Sequence, residues 1–492
     1  MSQGLARYPG AHPFDDTPTA SALFFGRNRE KAALANLILA NRLVVLYAKS
    51  GVGKTSVLRA GVAGLLRDAG CVPLFVRLND PGADPAASVL DQIAAEAQRQ
   101  HVEYQPGSRI TLWHFFKTAE FWRDDQLLTP VLVLDQFEEL FTLHTPEVRA
   151  GFLPAIGHVV RGVRPADPDG AARSVNEVVS ANPPHVRLVL SLREDSLGTL
   201  EEGASAIPQI LDHRFRLLPL PIEASAEALE GPAGFEDERL ATRPFSFAKG
   251  DAARIIDYLA RRTGSSTASQ GGVEPFHLQL VCQKVEALVA ARQQRDGRES
   301  QTVSLADLGG EEGLKATLRD FYEGVLRRIQ HVPTRRRARR LCDQYLISPE
   351  GHRLSLDERE VRRLLRLDAG VLGTLVDQRL LRMDRRADSC YFELSHDCLI
   401  GPVLASRRRR AKFFGFAGLL GSPALILLGV VFLIATALLA WQAVQKPDPA
   451  ALGGQLLVGL AVISAGVLFV WMGIVGFRRS METLERYTAP SP

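Results

Sequence analysis

The chain has 492 residues, a length that corresponds to roughly two to four domains rather than one compact unit. Hydrophobic residues make up 46% and charged residues 23%, which excludes a largely disordered protein because there is ample apolar material for packed cores. The net charge of +4 comes from 59 basic and 55 acidic residues, and this balance gives no general argument for nucleic-acid binding.

The N-terminal segment, residues 1–41, lacks the basic and then apolar pattern of a secretion signal. We therefore expect the first part of the chain to stay in the cytoplasm. The five cysteines are scattered and include no CxxC pair, which argues against a zinc site or a disulfide framework. Buried free thiols in a reducing compartment are the simpler interpretation.

A phosphate-binding loop is predicted after the first strand. Residues 43–47 form a short, β-branched apolar run that is typical of a buried strand. The sequence AKSGVGKT at residues 48–55 follows and matches the pattern GxxxxGK[ST], with Ala48 in place of the first glycine. A helix is predicted directly after the loop, so the motif has a strand before it and a helix after it.

The residue types of this loop suit the binding of ATP or ADP with Mg²⁺. Gly51 and Gly53 let the backbone curl so that its N–H groups face the phosphates, and the helix N-terminus adds partial positive charge. Lys54 is expected to reach the β- and γ-phosphates, and the Thr55 hydroxyl is expected to bind Mg²⁺. The loop residues predicted to contact the nucleotide are Ser50, Gly51, Val52, Gly53, Lys54, Thr55 and Ser56.

A second apolar strand, residues 131–135, ends in an acid. Asp135 stands at its carboxyl end, where P-loop enzymes hold Mg²⁺ through water. Glu138 and Glu139 follow, and one of them is a candidate to orient and deprotonate the attacking water. Glu138 is our first choice and Glu139 the second. The alternative is that both are solvated at a helix start, where carboxylates interact favourably with the helix dipole.

A third strand, residues 187–193, ends in Arg193. Arg193 would lie near the γ-phosphate if this strand neighbours the first one, and it would then respond to the state of the nucleotide. A plain surface arginine is the alternative. Residues 72–78 and 215–220 complete a predicted five-stranded parallel sheet within residues 42–220, with helical segments between strands as in a doubly wound α/β fold.

These motifs together resemble the novel STAND NTPases, which are signal-transduction ATPases related to NACHT and NB-ARC proteins. The resemblance covers about residues 8–405. It is carried by YPG, PF and FFGR within residues 8–27, by GKT and RAG within residues 53–61, and by VLDQFEE at residues 133–139.

The resemblance implies roles for individual residues. Phe25, Gly26 and Arg27 correspond to the segment that closes over the adenine. Pro232 corresponds to the short proline motif in the lid that touches the base. Arg193 corresponds to the sensor arginine at the end of a strand.

The resemblance also implies a helical lid at residues 221–330 and a winged-helix domain at residues 331–405. Within the latter, helices are predicted at residues 357–365 and 369–378, followed by a wing hairpin. His396, in the sequence Ser-His-Asp, corresponds to the His-Asp motif that binds ADP in the resting state. By this analogy it would form a hydrogen bond to the β-phosphate.

The chain departs from the family pattern in two respects. Ala48 replaces the usual glycine, and no repeat array follows the winged-helix region. Because such arrays act as sensors in the family, the sequence does not identify the signal that triggers this protein, and a partner protein is the candidate sensor. The basic cluster at residues 335–340 has three interpretations: a nucleic-acid contact, which we do not favour, a contact with acidic lipid headgroups, or a solvated helix face.

Two long uncharged stretches predict a transmembrane hairpin in residues 406–480, followed by a tail at residues 481–492. The expected spans cover about residues 420–444 and 456–477, and each is long enough to cross the ~30 Å hydrocarbon layer as a helix. Because arginines precede the first span and follow the second, we expect both termini on the cytoplasmic side of an inner or plasma membrane. Whether the hairpin is an anchor or a pore is open.

Taken with the resemblance, these features favour a switch that rests with ADP, opens and self-associates with ATP, and resets by slow ATP hydrolysis. The expected partners are the nucleotide, membrane lipid, further copies of the chain and an unidentified sensor or effector protein. Two other classes stay open: a membrane-tethered ATPase motor for transport or assembly, and a scaffold that binds nucleotide without hydrolysing it.

Overall fold

The computed structural model describes residues 4–80, 82–165, 182–262, 272–295, 301–386, 389–445 and 452–488. The chain divides into two compact units, Met1–Ile400 and Gly401–Pro492. Residues 446–451, in the turn predicted between the two spans, and residues 489–492, at the end of the predicted tail, lie outside the described residues.

A five-stranded parallel sheet forms the centre of the first unit, as the sequence predicts. Its strands are β1 (Leu43–Ala48), β2 (Cys71–Val76), β3 (Thr129–Asp135), β4 (Arg187–Arg193) and β5 (Arg214–Arg216), in the order β2-β3-β4-β1-β5. In this register Asp135 lies beside Ser191, and Ala48 lies beside Arg193. The carboxyl ends of β3, β4 and β1 therefore meet at one edge of the sheet.

Both faces of this sheet are buried, which explains why its strands are continuous apolar runs. Val45, Leu132 and Leu190 belong to the hydrophobic core on one face, and Val44, Val133 and Val189 belong to the core on the other. The helices around the sheet are Pro18–Ala22, Asn28–Ala40, Lys54–Ser56, a π-helical turn Val57–Val62, Ala63–Asp68, Pro85–Arg99, Leu112–Thr118, Glu138–Leu143, Pro146–Arg161 and Leu197–Glu201. A small antiparallel sheet joins Glu103–Gln105, Glu120–Arg123 and Gln126–Leu127.

A mainly helical region follows the sheet and has its own core. Its helices are Ile222–Gly234, Asp251–Arg262, Pro275–Arg295 and Gly310–Arg327, and a short parallel pair joins Phe245–Phe247 to Gln301–Val303. Tyr8, from the N-terminal segment, is buried in the same core. The N-terminal segment is therefore part of this region's packing.

The last part of the first unit combines helices with a three-stranded antiparallel sheet. The helices are Val332–Arg340, a π-helical turn Leu341–Tyr345, Glu358–Leu365 and Ala369–Asp377. The strands are β6 (Leu356–Asp357), β7 (Leu381–Arg386) and β8 (Ser389–Leu394), in the order β6-β8-β7. The helix predicted at residues 357–365 starts one residue later because Asp357 caps it, its side chain accepting a hydrogen bond from the Arg359 N–H.

The second unit consists of one long helix that begins at its boundary, Ile400–Gln445, and a second helix, Leu452–Thr488. Small residues allow the two helices to pack closely within the unit. A β-carbon added to Gly466 would lie 3.1 Å from the carbonyl oxygen of Gly429, and the rings of Phe432 and Phe469 are 5.9 Å apart. This is the close packing expected where glycines face each other across a helix pair.

Among the described residues, one helical segment is long and apolar enough to cross a membrane. It is Leu460–Arg478, with 19 residues, and only 11% of its most apolar window is buried. The apolar part of the preceding helix, Ser422–Leu438, is shorter than the roughly 20 residues that a span requires. The structure thus supports, by length and composition, one of the two predicted spans.

Candidate nucleotide site

The loop between β1 and the next helix has the backbone that its glycines predict. Gly51 and Gly53 adopt φ values of +86° and +99°, in the left-handed region that favours glycine. Ala48 ends β1 in an extended conformation, so a side chain at this position causes no strain. The helix begins at Lys54, directly after the curled backbone. The replaced glycine therefore does not disturb the loop.

Thr55 and Asp135 meet across the carboxyl edge of the sheet. The Thr55 hydroxyl donates to Asp135 Oδ2 at 2.9 Å, and the Ser191 hydroxyl donates to Asp135 Oδ1 at 2.9 Å. Asp135 is buried, so these bonds hold its carboxylate in one orientation. Ser191 has no motif around it in the sequence, and only the pairing of β3 with β4 shows that it lies beside Asp135.

Lys54 points towards the same acidic edge. Its Nζ donates to the Ala48 carbonyl at 3.2 Å, which holds the amine beside the loop. Burial lowers the pKa of Lys54, while the nearby carboxylates of Glu138 and Asp135 act in the opposite direction. The amine is thus close to acidic groups in a partly dehydrated cleft, the environment in which a phosphate would be bound strongly.

A cavity of about 770 Å³ opens over the loop, large enough for a nucleotide. Most of the predicted site residues line it: Phe25, Arg27, Ser50, Gly51, Val52, Gly53, Lys54, Thr55, Ser56, Asp135, Glu138, Glu139, Arg193 and His396. A Mg²⁺ ion prefers hard oxygen ligands and usually binds through one or two protein groups plus phosphate oxygens. The adjacent hydroxyl of Thr55 and carboxylate of Asp135 fit that requirement.

Glu138 and Glu139 are both buried, which rules out the fully solvated alternative for these side chains. Arg382 donates to Glu138 Oε1 at 3.2 Å, while Arg77 forms an ion pair with Glu139. The second oxygen of each carboxylate is buried without a hydrogen-bond partner. Burial raises the pKa of Glu139 to about 7, although the Arg77 charge opposes this shift.

Arg193 lies at the end of β4, next to the end of β1. Its guanidinium donates to Glu393 Oε1 at 3.1 Å and to Asp195 Oδ1 at 3.1 Å. The side chain is 19% exposed and faces the cavity, so it is not a plain surface arginine.

His396 lies directly against the phosphate loop. A β-carbon added to Gly51 would be 2.6 Å from His396 Nδ1, and the Phe276 ring packs on the imidazole with centroids 3.7 Å apart. Nδ1 is buried without a hydrogen-bond partner. Burial, followed by the charges of Arg353, Arg379 and Arg382, lowers the pKa of His396 to about 3, so the ring is neutral at pH 7.

The segment predicted to cover the adenine, residues 25–27, packs against the phosphate loop and against Gly231. Arg27 is buried and donates to the carbonyls of Val52, at 3.3 Å, and Leu218, at 2.8 Å, which ties it to the phosphate loop. Phe25 packs against Gly231, where a β-carbon would lie 2.5 Å from the ring. Gly26 has φ +82°, so it provides a left-handed turn between them.

Two of the residues predicted to bind the nucleotide, Pro232 and Gly26, do not line the cavity. Pro232 is buried in the helix Ile222–Gly234, and its carbonyl accepts a hydrogen bond from Arg7 at 2.8 Å. The neighbouring Gly231 makes the contact with Phe25 instead.

The N-terminal segment forms one wall of the cavity, which none of the roles assigned to the sequence motifs predicted. Residues 10–15 line the cavity, and the Phe14 N–H donates to Ser56 Oγ at 3.2 Å. Just before them, Arg7 is fully buried, and the backbone N–H groups of Arg7 and Tyr8 donate to Glu286. The YPG and PF residues of this segment belong to the family resemblance, but the sequence does not show the contacts that explain why they are needed.

Comparison with known proteins identifies a family. The family model described as novel STAND NTPase 1 matches residues 8–402. No curated protein matches the chain.

The chain is also similar to solved structures at low identity. They include the ADP form of the ORC2 protein from Aeropyrum pernix (13% identity, 78% of this chain and 95% of that chain covered, TM-score 0.37). A second is a Walker-type ATPase from Pyrococcus abyssi (13% identity, 80% and 98% covered, TM-score 0.36). A third is Cdc6p from Pyrobaculum aerophilum (14% identity, 77% and 94% covered, TM-score 0.34). With TM-scores this low, the family match is the finding that carries weight.

Proposed function

The chain belongs to the novel STAND NTPase 1 family, and from this premise we propose that it is a nucleotide-dependent switch that hydrolyses ATP slowly. ADP holds the first unit closed, ATP favours an open form that self-associates, and hydrolysis restores the closed form. Nucleotide exchange shifts the two populations only as far as its affinity differs between them.

The observation that carries this proposal is the contact between His396 and Gly51. A histidine from the C-terminal part of the first unit packs on the loop whose backbone would hold the phosphates. His396 lines the cavity, and its buried Nδ1 has no hydrogen-bond partner, which suits a hydrogen bond to a β-phosphate oxygen when nucleotide is bound. Bound ADP would then bridge the sheet region and the C-terminal part, which supports the closed form as the resting state.

The chemistry assigned to the site is hydrolysis of the terminal phosphoanhydride bond. A carboxylate, Glu138 in our assignment, accepts a proton from water as the water oxygen bonds to the γ-phosphorus. The bond from that phosphorus to the bridging oxygen breaks, and ADP and phosphate leave, with the proton passing to the phosphate. Lys54 and Arg193 stabilise the charge on the transferred group. Mg²⁺ held by Thr55 and Asp135 would neutralise phosphate charge when bound.

We assign a winged-helix domain to residues 331–405, because helices Glu358–Leu365 and Ala369–Asp377 precede the hairpin of β7 and β8. For the second unit we assign a membrane hairpin with both termini in the cytoplasm. The apolar segment Leu460–Arg478 and its close packing on the preceding helix support this assignment. Opening would then gather hairpins from several copies, as an anchor for a signalling complex or as a membrane lesion.

The membrane assignment is tested by fractionation of cells that express the full chain. We expect the protein in the membrane fraction, resistant to high salt and alkaline carbonate but soluble in detergent. Release by carbonate would contradict a spanning segment, since an inserted helix is not held by ionic contacts.

The switch is tested by comparing the full chain in detergent with its Lys54→Ala variant. Lys54→Ala removes an amine that lines the cavity and should abolish tight nucleotide binding and the ATP-dependent increase in mass measured by light scattering. Lys49→Ala, in the same loop but absent from the cavity wall, is the matched control. Rapid, continuous ATP turnover by the unmodified chain would instead favour the motor, and unchanged self-association in Lys54→Ala would refute the switch.

A further inference from the structure

Two charged residues of the β7–β8 hairpin contact two charged residues of the nucleotide site. Arg382 on β7 pairs with Glu138, with 3.2 Å between Nη2 and Oε1. Glu393 on β8 pairs with Arg193, with 3.1 Å between Oε1 and Nη1. The four side chains are each at most 20% exposed, so both pairs are partly shielded from water.

The two pairs form a single arrangement because of the strand register. Arg382 and Glu393 are direct partners across the antiparallel ladder of β7 and β8. Glu138 and Arg193 follow β3 and end β4, which are neighbouring strands of the main sheet. One hairpin position therefore presents a positive and a negative charge side by side to a negative and a positive charge on the sheet edge.

The environments of the two glutamates differ in a way that distinguishes their roles. Glu139 is paired with Arg77, which follows β2 of the same sheet and lines the cavity beside it. Glu138 is paired with Arg382 of the hairpin, a residue 244 positions away along the chain. Movement of the hairpin would leave the Glu139 pair intact but would free Glu138.

We infer that the hairpin residues Arg382 and Glu393 hold the site inactive by pairing with the general base Glu138 and the sensor Arg193. This inference rests on the proposed function and specifies how hydrolysis is restrained in the closed form. While Arg382 holds one oxygen of Glu138 and the other oxygen is buried, that carboxylate is poorly placed to accept a proton from water. While Glu393 holds Arg193 Nη1, that nitrogen is directed to a protein carboxylate rather than to phosphate. Asp195 binds the other side of the guanidinium, so movement of the hairpin would free Nη1 alone.

The opposite role for Arg382 is a direct contact with the γ-phosphate, because its side chain also lines the cavity. Arginines that contact a transferred phosphoryl group accelerate the reaction, so losing one would slow turnover. The two roles predict changes of opposite sign in the same measurement.

The experiment compares Arg382→Ala and Glu393→Gln with the unmodified full chain in detergent. Two rates are measured: release of a pre-bound fluorescent ADP analogue and steady ATP turnover. Both variants should increase both rates by about fivefold or more, the lower end of typical coupling between two states. Arg382→Lys, which keeps the positive charge, should stay closer to the unmodified rates.

Matched controls come from exposed ion pairs in the same part of the chain. Arg362→Ala and Glu360→Gln alter side chains that are 55% and 49% exposed and that pair within their own helix. These variants should change neither rate by more than about twofold, since exposed pairs contribute little. Thermal unfolding of every variant shows that it is folded before rates are compared.

Slower turnover in Arg382→Ala would overturn the inference, and so would unchanged rates in both hairpin variants. The outcome is separable from failure of the proposed function. If the unmodified chain binds ADP and hydrolyses ATP slowly but the hairpin variants do not differ from it, only this inference fails. If the unmodified chain binds no nucleotide, the proposed function fails and this inference fails with it.

Discussion

His396 Nδ1 lies so close to Gly51 that a β-carbon on the glycine would be 2.6 Å from it. This contact joins a residue that follows the β7–β8 hairpin to the centre of the phosphate loop. It needs both a residue without a side chain at position 51 and a flat, neutral ring at position 396. The first two predictions follow from it.

Replacing the imidazole should weaken ADP retention. His396→Ala removes the proposed bond to the β-phosphate and the packing against Phe276, so ADP should dissociate about tenfold faster, the effect of roughly 1.4 kcal/mol. Stopped-flow release of a fluorescent ADP analogue measures this rate. His352→Ala, at an exposed histidine in the same region, is the control, and equal release rates in the two variants would argue against a role for His396.

The neutral state of His396 predicts a pH dependence of stability. Its pKa is about 3 in the folded chain, below the ordinary value of 6.5. Because the folded pKa is depressed, the stabilising contribution is present above pH 6.5 and is lost as the pH falls from 6.5 towards 3. Between pH 7.5 and 5.5 the contribution of His396 should fall by about 1.4 kcal/mol. Glu139, whose pKa is raised to about 7, acts in the opposite direction over the same pH range, but it is present in both chains. Chemical unfolding without nucleotide should therefore show a stability difference between the unmodified chain and His396→Gln that shifts against the unmodified chain as the pH falls.

The Ser191 hydroxyl orients the Asp135 carboxylate. Removing this hydroxyl should lower the affinity for Mg²⁺ more than the affinity for the nucleotide. Ser191→Ala removes the 2.9 Å bond to Asp135 Oδ1, and loss of such a supporting bond typically lowers metal affinity or activity about 10- to 100-fold. The Mg²⁺ concentration for half-maximal ATP turnover should rise accordingly. Ser246→Ala, at an exposed serine, is the control. A Mg²⁺ dependence equal to that of the unmodified chain would show that the Ser191 bond does not support a metal site at Asp135.

The N-terminal segment should be essential for stability, although it contains no catalytic motif. Arg7 is fully buried and donates to the carbonyl oxygens of Pro232, Phe235 and Thr242. Arg7→Ala removes these bonds from a buried site, although the Pro232 carbonyl keeps the Phe235 N–H as a donor, and should lower the free energy of unfolding by about 3 kcal/mol. Arg29→Ala, at an exposed arginine, should change it by less than about 0.5 kcal/mol. Thermal unfolding compares the two variants.

The sequence predicts those features that depend on neighbouring residues. The apolar run before Asp135 predicts a buried strand, and the spacing of Gly51, Gly53 and Lys54 predicts the curled loop and the helix after it. Both predictions depend on periodicity and on backbone freedom, which are local properties. The parallel direction of the strands follows from their alternation with helices along the chain.

Long-range pairing of polar residues is not predictable in this way. Arg77, Ser191 and Arg382 lie in ordinary sequence surroundings, and only the register of distant strands brings them to the site. Their pairs depend on which residues face each other after folding, which no local period encodes. Pro232 shows the converse case, because a motif position identified by resemblance faces Arg7 rather than the cavity.

The most direct test of the account is the nucleotide content of the full chain purified in detergent without added nucleotide. The protein is denatured, and the released nucleotide is identified and quantified by chromatography. Retention of ADP at close to one molecule per chain, and its loss from Lys54→Ala, is the predicted result. An empty site in a folded, monodisperse preparation that turns over ATP rapidly would contradict the account.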